Sequence, residues 1–111
     1  MDVGGLLASL LQALSGVELV EAVDFDTEAF VLKGRVRVKG GRYVQVYFNE
    51  LTGTTAFALI EKERRIWGID FDNMRGWHLH PLDDPESHRD IGEKTVEEIV
   101  EMLSGVLDRL E

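Results

Sequence analysis

The chain has 111 residues, 44% of them hydrophobic, and a formal net charge of −9, which fits one domain with an ordinary core and disfavours indiscriminate nucleic-acid binding by the molecule as a whole. It has no cysteine, so disulfides, thiolate metal sites and cysteine nucleophiles are excluded. The charge is uneven: residues 29–65 carry eight Lys/Arg against three acids, whereas residues 83–111 carry ten acids against three bases.

Val3, Leu6, Leu7, Leu10, Leu11 and Leu14 recur at helical spacing, and Gly16 follows where a helix ends. The pattern predicts a helix over 4–15. Its apolar residues are spaced rather than continuous and no basic run precedes them, so neither a signal peptide nor a membrane span is expected. A cytoplasmic location is the default expectation.

VELVEAVDF (17–25) reads as a strand with Val17, Leu19, Val23 and Phe25 on one side, and Asp24 to Thr27 as a turn. EAFVLKGRVRVK (28–39) alternates cleanly. Phe30, Leu32, Gly34, Val36 and Val38 face one way, and Lys33, Arg35, Arg37 and Lys39 the other. YVQVYFNE (43–50) returns after the Gly40-Gly41 turn. A loop of Gly40 to Arg42 pairs Val38 with Val44, Val36 with Val46 and Gly34 with Phe48, which keeps both apolar sets on one core. That register sets Lys39 beside Tyr43, Arg37 beside Gln45 and Arg35 beside Tyr47.

Strands are expected over 54–63 and 65–73, with a turn at Glu63-Arg64. Trp67, Ile69 and Phe71 point inward, and Asp70 and Asp72 outward. Residues 74–92 lack clear periodicity, although His78 and His80 fit a short extended piece. TVEE (95–98) is a capping-box pattern ahead of an apolar stripe of Val96, Ile99, Val100, Leu103, Leu107 and Leu110. The expected fold is a single α+β domain over 1–111. It is an antiparallel meander sheet of about five strands, with N- and C-terminal helices packed on one face.

Residues 76–90, GWHLHPLDDPESHRD, hold all three histidines and both prolines. His78 and His80, spaced i, i+2, project from one side of an extended chain. His88 can fold back toward them. One imidazole as general base and another as acid, flanked by Arg75 and Arg89, suits cleavage of an RNA phosphodiester, in which the 2′-OH is an internal nucleophile. That chemistry needs no cofactor. The same three imidazoles can instead hold Zn²⁺, with Asp83, Asp84 or Glu86 as an oxygen donor. The plainest alternative is a loop shaped by Pro81 and Pro85, plugged by Trp77, with histidines capping backbone groups.

Lys33, Arg35, Arg37 and Lys39, interleaved with Tyr43, Gln45 and Tyr47, suit phosphates and stacked bases. Pairing with Asp70, Asp72 or Glu18 would turn them into solvated salt bridges, and docking of an acidic partner is a third use. Asp70, Asp72 and Asn73 can hold Mg²⁺ but read better as a turn. No GxxxxGK[ST], no GxGxxG after a strand and no nucleophile-elbow serine is present.

VELVEAVDF, FVLKGRVRVKGGRYVQVYF and RRIWGIDFDNMRGWHLHP with the later His88 together resemble the TumE-like toxin components of prokaryotic toxin–antitoxin pairs. The resemblance spans about residues 17–90 and rests on Asp72-Asn73, His78, His80, Pro81 and His88. The family's stretch has paired histidines and a basic residue near the second cluster, whereas this chain has separated histidines and an acidic DDPE segment. The resemblance implies an RNA-directed activity and an antitoxin protein as partner. The expectation is a metal-independent ribonuclease. His78, His80 and His88 are its acid/base candidates and Arg75 and Arg89 its phosphate candidates, with Lys33, Arg35, Arg37, Lys39, Tyr43 and Tyr47 as binding face. The alternatives are a non-catalytic module docking an acidic partner or a second copy of the chain, and a small His-based metal-binding hydrolase.

Overall fold

A computed structural model describes residues 2–111. The order is α1 (Val3–Leu14), β1 (Val20–Glu28), β2 (Val31–Val38), β3 (Arg42–Asn49), β4 (Thr55–Glu61), β5 (Arg64–Asp72), β6 (Gly76–His80), β7 (Arg89–Asp90) and α2 (Val96–Leu110). The seven strands form one antiparallel sheet in sequence order. The α+β meander is as expected, with seven strands rather than about five. The additional β6 and β7 come from residues 74–92, where short strands bounded by turn residues leave too few positions for a period to show. Among the described residues, no helix is long and apolar enough to cross a membrane.

Both helices lie on one face. Leu6, Leu10 and Leu14 of α1 and Ile99, Leu103 and Leu107 of α2 share a buried core with Leu32, Val36, Val46, Phe57, Leu59, Trp67 and Ile69 of the sheet. Asp2 caps α1 by accepting from the Gly5 N–H at 2.6 Å. Thr95 and Glu98 form the expected reciprocal capping box on α2.

The hairpin turns depart from expectation in ways that backbone conformation explains. The first strand runs on through Asp24–Thr27, so these polar residues are edge-strand positions, not a turn. The turn is at Ala29 and Phe30, where Ala29 has φ +51°. Phe30 is therefore 47% exposed instead of inward-facing. Val23 also stays 42% exposed, although it lies opposite the buried Val36, because β1 is the sheet edge. Gly34 is where β1 crowds β2, and an added Cβ would run into the Asp24 carbonyl and the Phe25 ring.

The β2–β3 register differs by two residues from that expected. The loop is Lys39-Gly40-Gly41, with Gly40 at φ +96° and Gly41 at φ +78°. Both glycines thus occupy positive-φ turn positions, and Arg42 is free to start β3 and pair with Glu61 of the neighbouring β4. The pairs are Val38 with Arg42, Val36 with Val44, Gly34 with Val46 and Leu32 with Phe48. A shift by two keeps every side chain on its expected face, but it sets Arg37 beside Tyr43, Arg35 beside Gln45 and Lys33 beside Tyr47. The β4–β5 turn is Lys62-Glu63, one residue earlier than expected, with φ +50° and +67°.

Candidate functional site: a histidine cluster on the helix-free face

The β5–β6 hairpin assembles the site. Asp72 Oδ1 accepts from the N–H groups of Met74 at 2.9 Å and Arg75 at 2.7 Å, and Gly76 takes φ +73°. These bonds close a three-residue loop and set the pairing of Asp72 with Gly76, Asp70 with His78 and Gly68 with His80. The same N–H groups, Arg75 first and Met74 second, hold the Asp72 carboxyl below its ordinary value. Asn73 donates to Thr52 O at 3.0 Å. Asp72 and Asn73 are thus turn residues, as the turn reading of that cluster had it.

Asp70 is different. Directly opposite residues share a face, so Asp70, His78 and His80 all project away from the helices. Asp70 Oδ2 lies 3.2 Å from His80 Nε2 and 3.4 Å from His78 Nε2. Arg65 Nη1 lies 3.5 Å from the same oxygen. The loop 81–88 folds back over this face. It brings Pro85 O to 3.0 Å from His80 Nδ1 and lays His88 on both rings, with centroid separations of 5.5 Å to His78 and 4.5 Å to His80. His78 is 4% and His80 1% exposed, whereas His88 is open to solvent. One nitrogen from each of the three rings falls within a span of 4.8 Å. The three histidines separated by up to ten positions therefore meet in space.

Loss of hydration against the other rings, and then the Arg75 charge, the His80 and His78 rings when protonated, and Arg65, hold the His88 imidazole below its ordinary value. Arg75 is near enough for its charge to act on His88. Arg89 is not a neighbour of the cluster. It pairs with Leu79 on β6, whose side faces the helices, and lines a groove there with Trp67, Met102 and Arg109. Arg65 takes the guanidinium position that the sequence reading gave to Arg89.

The basic strand face is on the same side as the histidines. One cross-strand row reads His78, Asp70, Ala56, Tyr47, Lys33, Asp26, and the adjacent row His80, Gly68, Ala58, Gln45, Arg35, Asp24. The Arg35 guanidinium lies 4.5 Å from the Tyr43 ring centre. The acids that face the cations are Asp24 and Asp26 of β1, not Asp70, Asp72 or Glu18, and among the described residues neither forms an ion pair with Lys33, Arg35 or Arg37 within contact distance. Lys39 leaves the set: it sits in the turn beyond β2 and pairs with Glu111 at 3.6 Å. Between the Tyr wall and the histidines, Ala56, Ala58 and Gly68 make a floor of small side chains.

Four steps of about 4.8 Å between neighbouring strands separate β2 from β6, so the basic side chains stand roughly 19 Å from the histidines. No family model, curated protein or solved structure matches the chain.

Proposed function

We propose that this chain cleaves RNA at the His78/His80/His88 cluster and holds the strand along the helix-free face of its sheet. The observation that carries this reading is the shared face. The imidazole cluster, with Arg65 and Arg75 beside it, and the Lys33/Arg35/Arg37/Tyr43/Tyr47 surface lie on one side of one sheet across a floor of Ala56, Ala58 and Gly68. The resemblance to TumE-like toxins points to the same substrate class.

On this reading Lys33, Arg35 and Arg37 take phosphates and the tyrosines take base faces. A small-residue floor lets the strand lie close to the sheet. Substrate reaches the cluster from the side of His88, its exposed member. The 2′-OH attacks phosphorus, its proton leaves to the cluster, and the P–O5′ bond breaks as the 5′-oxygen takes up a proton. Arg65 and Arg75 stabilise charge on the phosphoryl oxygens. An antitoxin partner would silence the protein by covering this face.

The test is cleavage of end-labelled RNA by wild type, His88→Ala and Arg35→Glu. The reading expects His88→Ala to lose cleavage while retaining binding, and Arg35→Glu to lose binding. A wild type that binds an acidic protein through Arg35 but leaves RNA intact at micromolar protein would favour the non-catalytic module instead.

A further inference from the structure

His78 Nδ1 lies 3.2 Å from Gly76 O, and His80 Nδ1 lies 3.0 Å from Pro85 O. A carbonyl oxygen only accepts, so each Nδ1 carries a hydrogen and donates it. In a neutral imidazole the other nitrogen is then a bare lone pair. Both Nε2 atoms aim at the same oxygen, Asp70 Oδ2, at 3.4 Å and 3.2 Å. Two lone pairs turned on a carboxylate oxygen repel one another unless positive charge lies among them.

Two extra protons supply that charge at a cost. They make two buried imidazolium ions beside the half-exposed Arg65, 3.5 Å from Asp70, so three cations would share one carboxylate. A single proton, on His80, whose Nε2 is within hydrogen-bond distance of that oxygen, still leaves the His78 lone pair turned on the same oxygen. Burying charge beyond what its partner balances is expensive. One divalent ion supplies the charge while both rings stay neutral.

We propose that Asp70 Oδ2, His78 Nε2, His80 Nε2 and a ring nitrogen of His88 form a four-donor site for Zn²⁺ or a similar first-row divalent metal. Bonds of about 2.0–2.1 Å at tetrahedral angles place ligand atoms roughly 3.4 Å apart. The separations of Asp70 Oδ2 from the two Nε2 atoms are 3.2 Å and 3.4 Å. A nitrogen of His88 lies within 4.8 Å of one nitrogen from each of the other two rings, and Asp70 is outside that trio, so His88 is the donor that must close on the carboxylate as well. It sits in an exposed loop, and a movement of up to roughly 1.4 Å closes the remaining gap between the rings.

The surroundings fit as well. Histidines that bind metal nearly always donate their second ring N–H to a carbonyl or carboxylate, which fixes tautomer and ring orientation. Gly76 O and Pro85 O do this for His78 and His80. Three imidazoles and a carboxylate are a donor set that suits Zn²⁺ and contains no donor softer than nitrogen. The acids Asp83, Asp84 and Glu86 are not needed. They line a separate depression with Arg64, Arg65 and Ile66. The site goes beyond the RNA reading and does not depend on it; with the metal on all three rings, the 2′-OH proton of that reading passes to a base other than these imidazoles.

The test is titration of chelator-stripped full-length protein with zinc sulfate by calorimetry, with Co²⁺ as a spectroscopic probe. Wild type is expected to take up one equivalent of either ion, and Co²⁺ to show the intense visible bands of a tetrahedral centre. His88→Ala changes an exposed side chain, and Asp70→Asn is nearly isosteric; each is expected to weaken Zn²⁺ binding by about tenfold or more. Arg89→Ala, on the other face, is expected to bind as wild type does. Absence of stoichiometric uptake by wild type overturns the site, as does unchanged affinity in folded His88→Ala. RNA cleavage assayed on stripped and reloaded protein separates the two readings. Cleavage in EDTA without Zn²⁺ uptake removes the metal site and keeps the RNA substrate. Uptake without cleavage at either loading keeps the metal site and removes the substrate.

Discussion

Asp70 Oδ2 stands 3.2 Å from His80 Nε2, deep under the loop that carries His88. The same oxygen meets His78 Nε2 at 3.4 Å, so one carboxylate organises two buried rings. Asp70→Asn keeps the shape and removes the negative charge at the point where the two rings converge. The expected result is a loss of RNA cleavage of about a hundredfold or more, comparable with removal of one preorganised electrostatic group at a reacting centre, with binding of RNA retained. Single-turnover cleavage beside fluorescence anisotropy measures both. Equal cleavage by variant and wild type would mean that Asp70 serves only the fold.

The basic strand face gives a salt-dependence prediction. Arg35 stacks on Tyr43 and shares a strand face with Lys33 and Arg37. If RNA phosphates lie there, the logarithm of affinity falls linearly with the logarithm of salt concentration, and each lost contact lowers the slope by about one. Arg35→Ala is expected to reduce the slope in that way, and Arg89→Ala to leave it unchanged. Anisotropy titrations at four or more salt concentrations decide it. Identical slopes for Arg35→Ala and wild type would sink the assignment of this face.

The Lys62-Glu63 turn offers a stability prediction. Both residues hold positive φ, +50° and +67°, a region that costs a non-glycine residue about 1 kcal/mol or more. Asn-Gly is the pair this two-residue hairpin turn prefers. Lys62→Asn/Glu63→Gly is expected to raise stability by about 0.5–1 kcal/mol, part of the gain being offset by the backbone entropy of glycine. Urea denaturation would show a higher midpoint at unchanged slope. A lower midpoint would contradict the turn geometry.

The capping box gives the pH dependence. The Glu98 carboxyl is held below its ordinary value by the backbone N–H of Thr95, then by the Thr95 hydroxyl. A carboxyl with a lowered folded-state value adds stability above its unfolded value, and that stability is lost as pH falls through the folded value. The window therefore opens near 4.5 and extends downward. Glu98→Gln keeps a side-chain acceptor without titrating, so its melting temperature is expected to fall less steeply than that of wild type below that point. Thr95→Ala removes the cap and is expected to cost about 1 kcal/mol at neutral pH. Parallel acid limbs for wild type and Glu98→Gln would rule out this contribution.

Much of the architecture was legible because alternation and helical spacing are local. The two helices, the Thr95/Glu98 box and the opposite faces of β2 follow from residue spacing alone. The β2–β3 register was harder. The faces were right in either alignment, since a shift by two preserves them, and only the positive φ of Gly40 and Gly41 moves Arg42 from the turn into β3. The meeting of His78 and His80 followed from their i, i+2 spacing, whereas Asp70 was grouped with Asp72 and Asn73 because they adjoin in sequence. A signal for the correct partner was present. Asp72 to Gly76 is a turn sequence, and closing it there puts Asp70 opposite His78. Arg89 was assigned to the site by nearness to His88 in the chain, but alternation turns adjacent strand residues to opposite faces, and Arg65, distant in sequence, stands beside Asp70 instead.

On the proposed reading the three histidines form one reactive site for RNA. The most direct measurement is the single-turnover cleavage rate of a labelled RNA by wild type and His88→Ala at saturating protein. Cleavage by wild type is expected, with a rate lower by about a hundredfold or more in the variant and affinity for the uncleaved RNA unchanged. Equal rates for the two proteins, or no cleavage by wild type with or without added Zn²⁺, would contradict it.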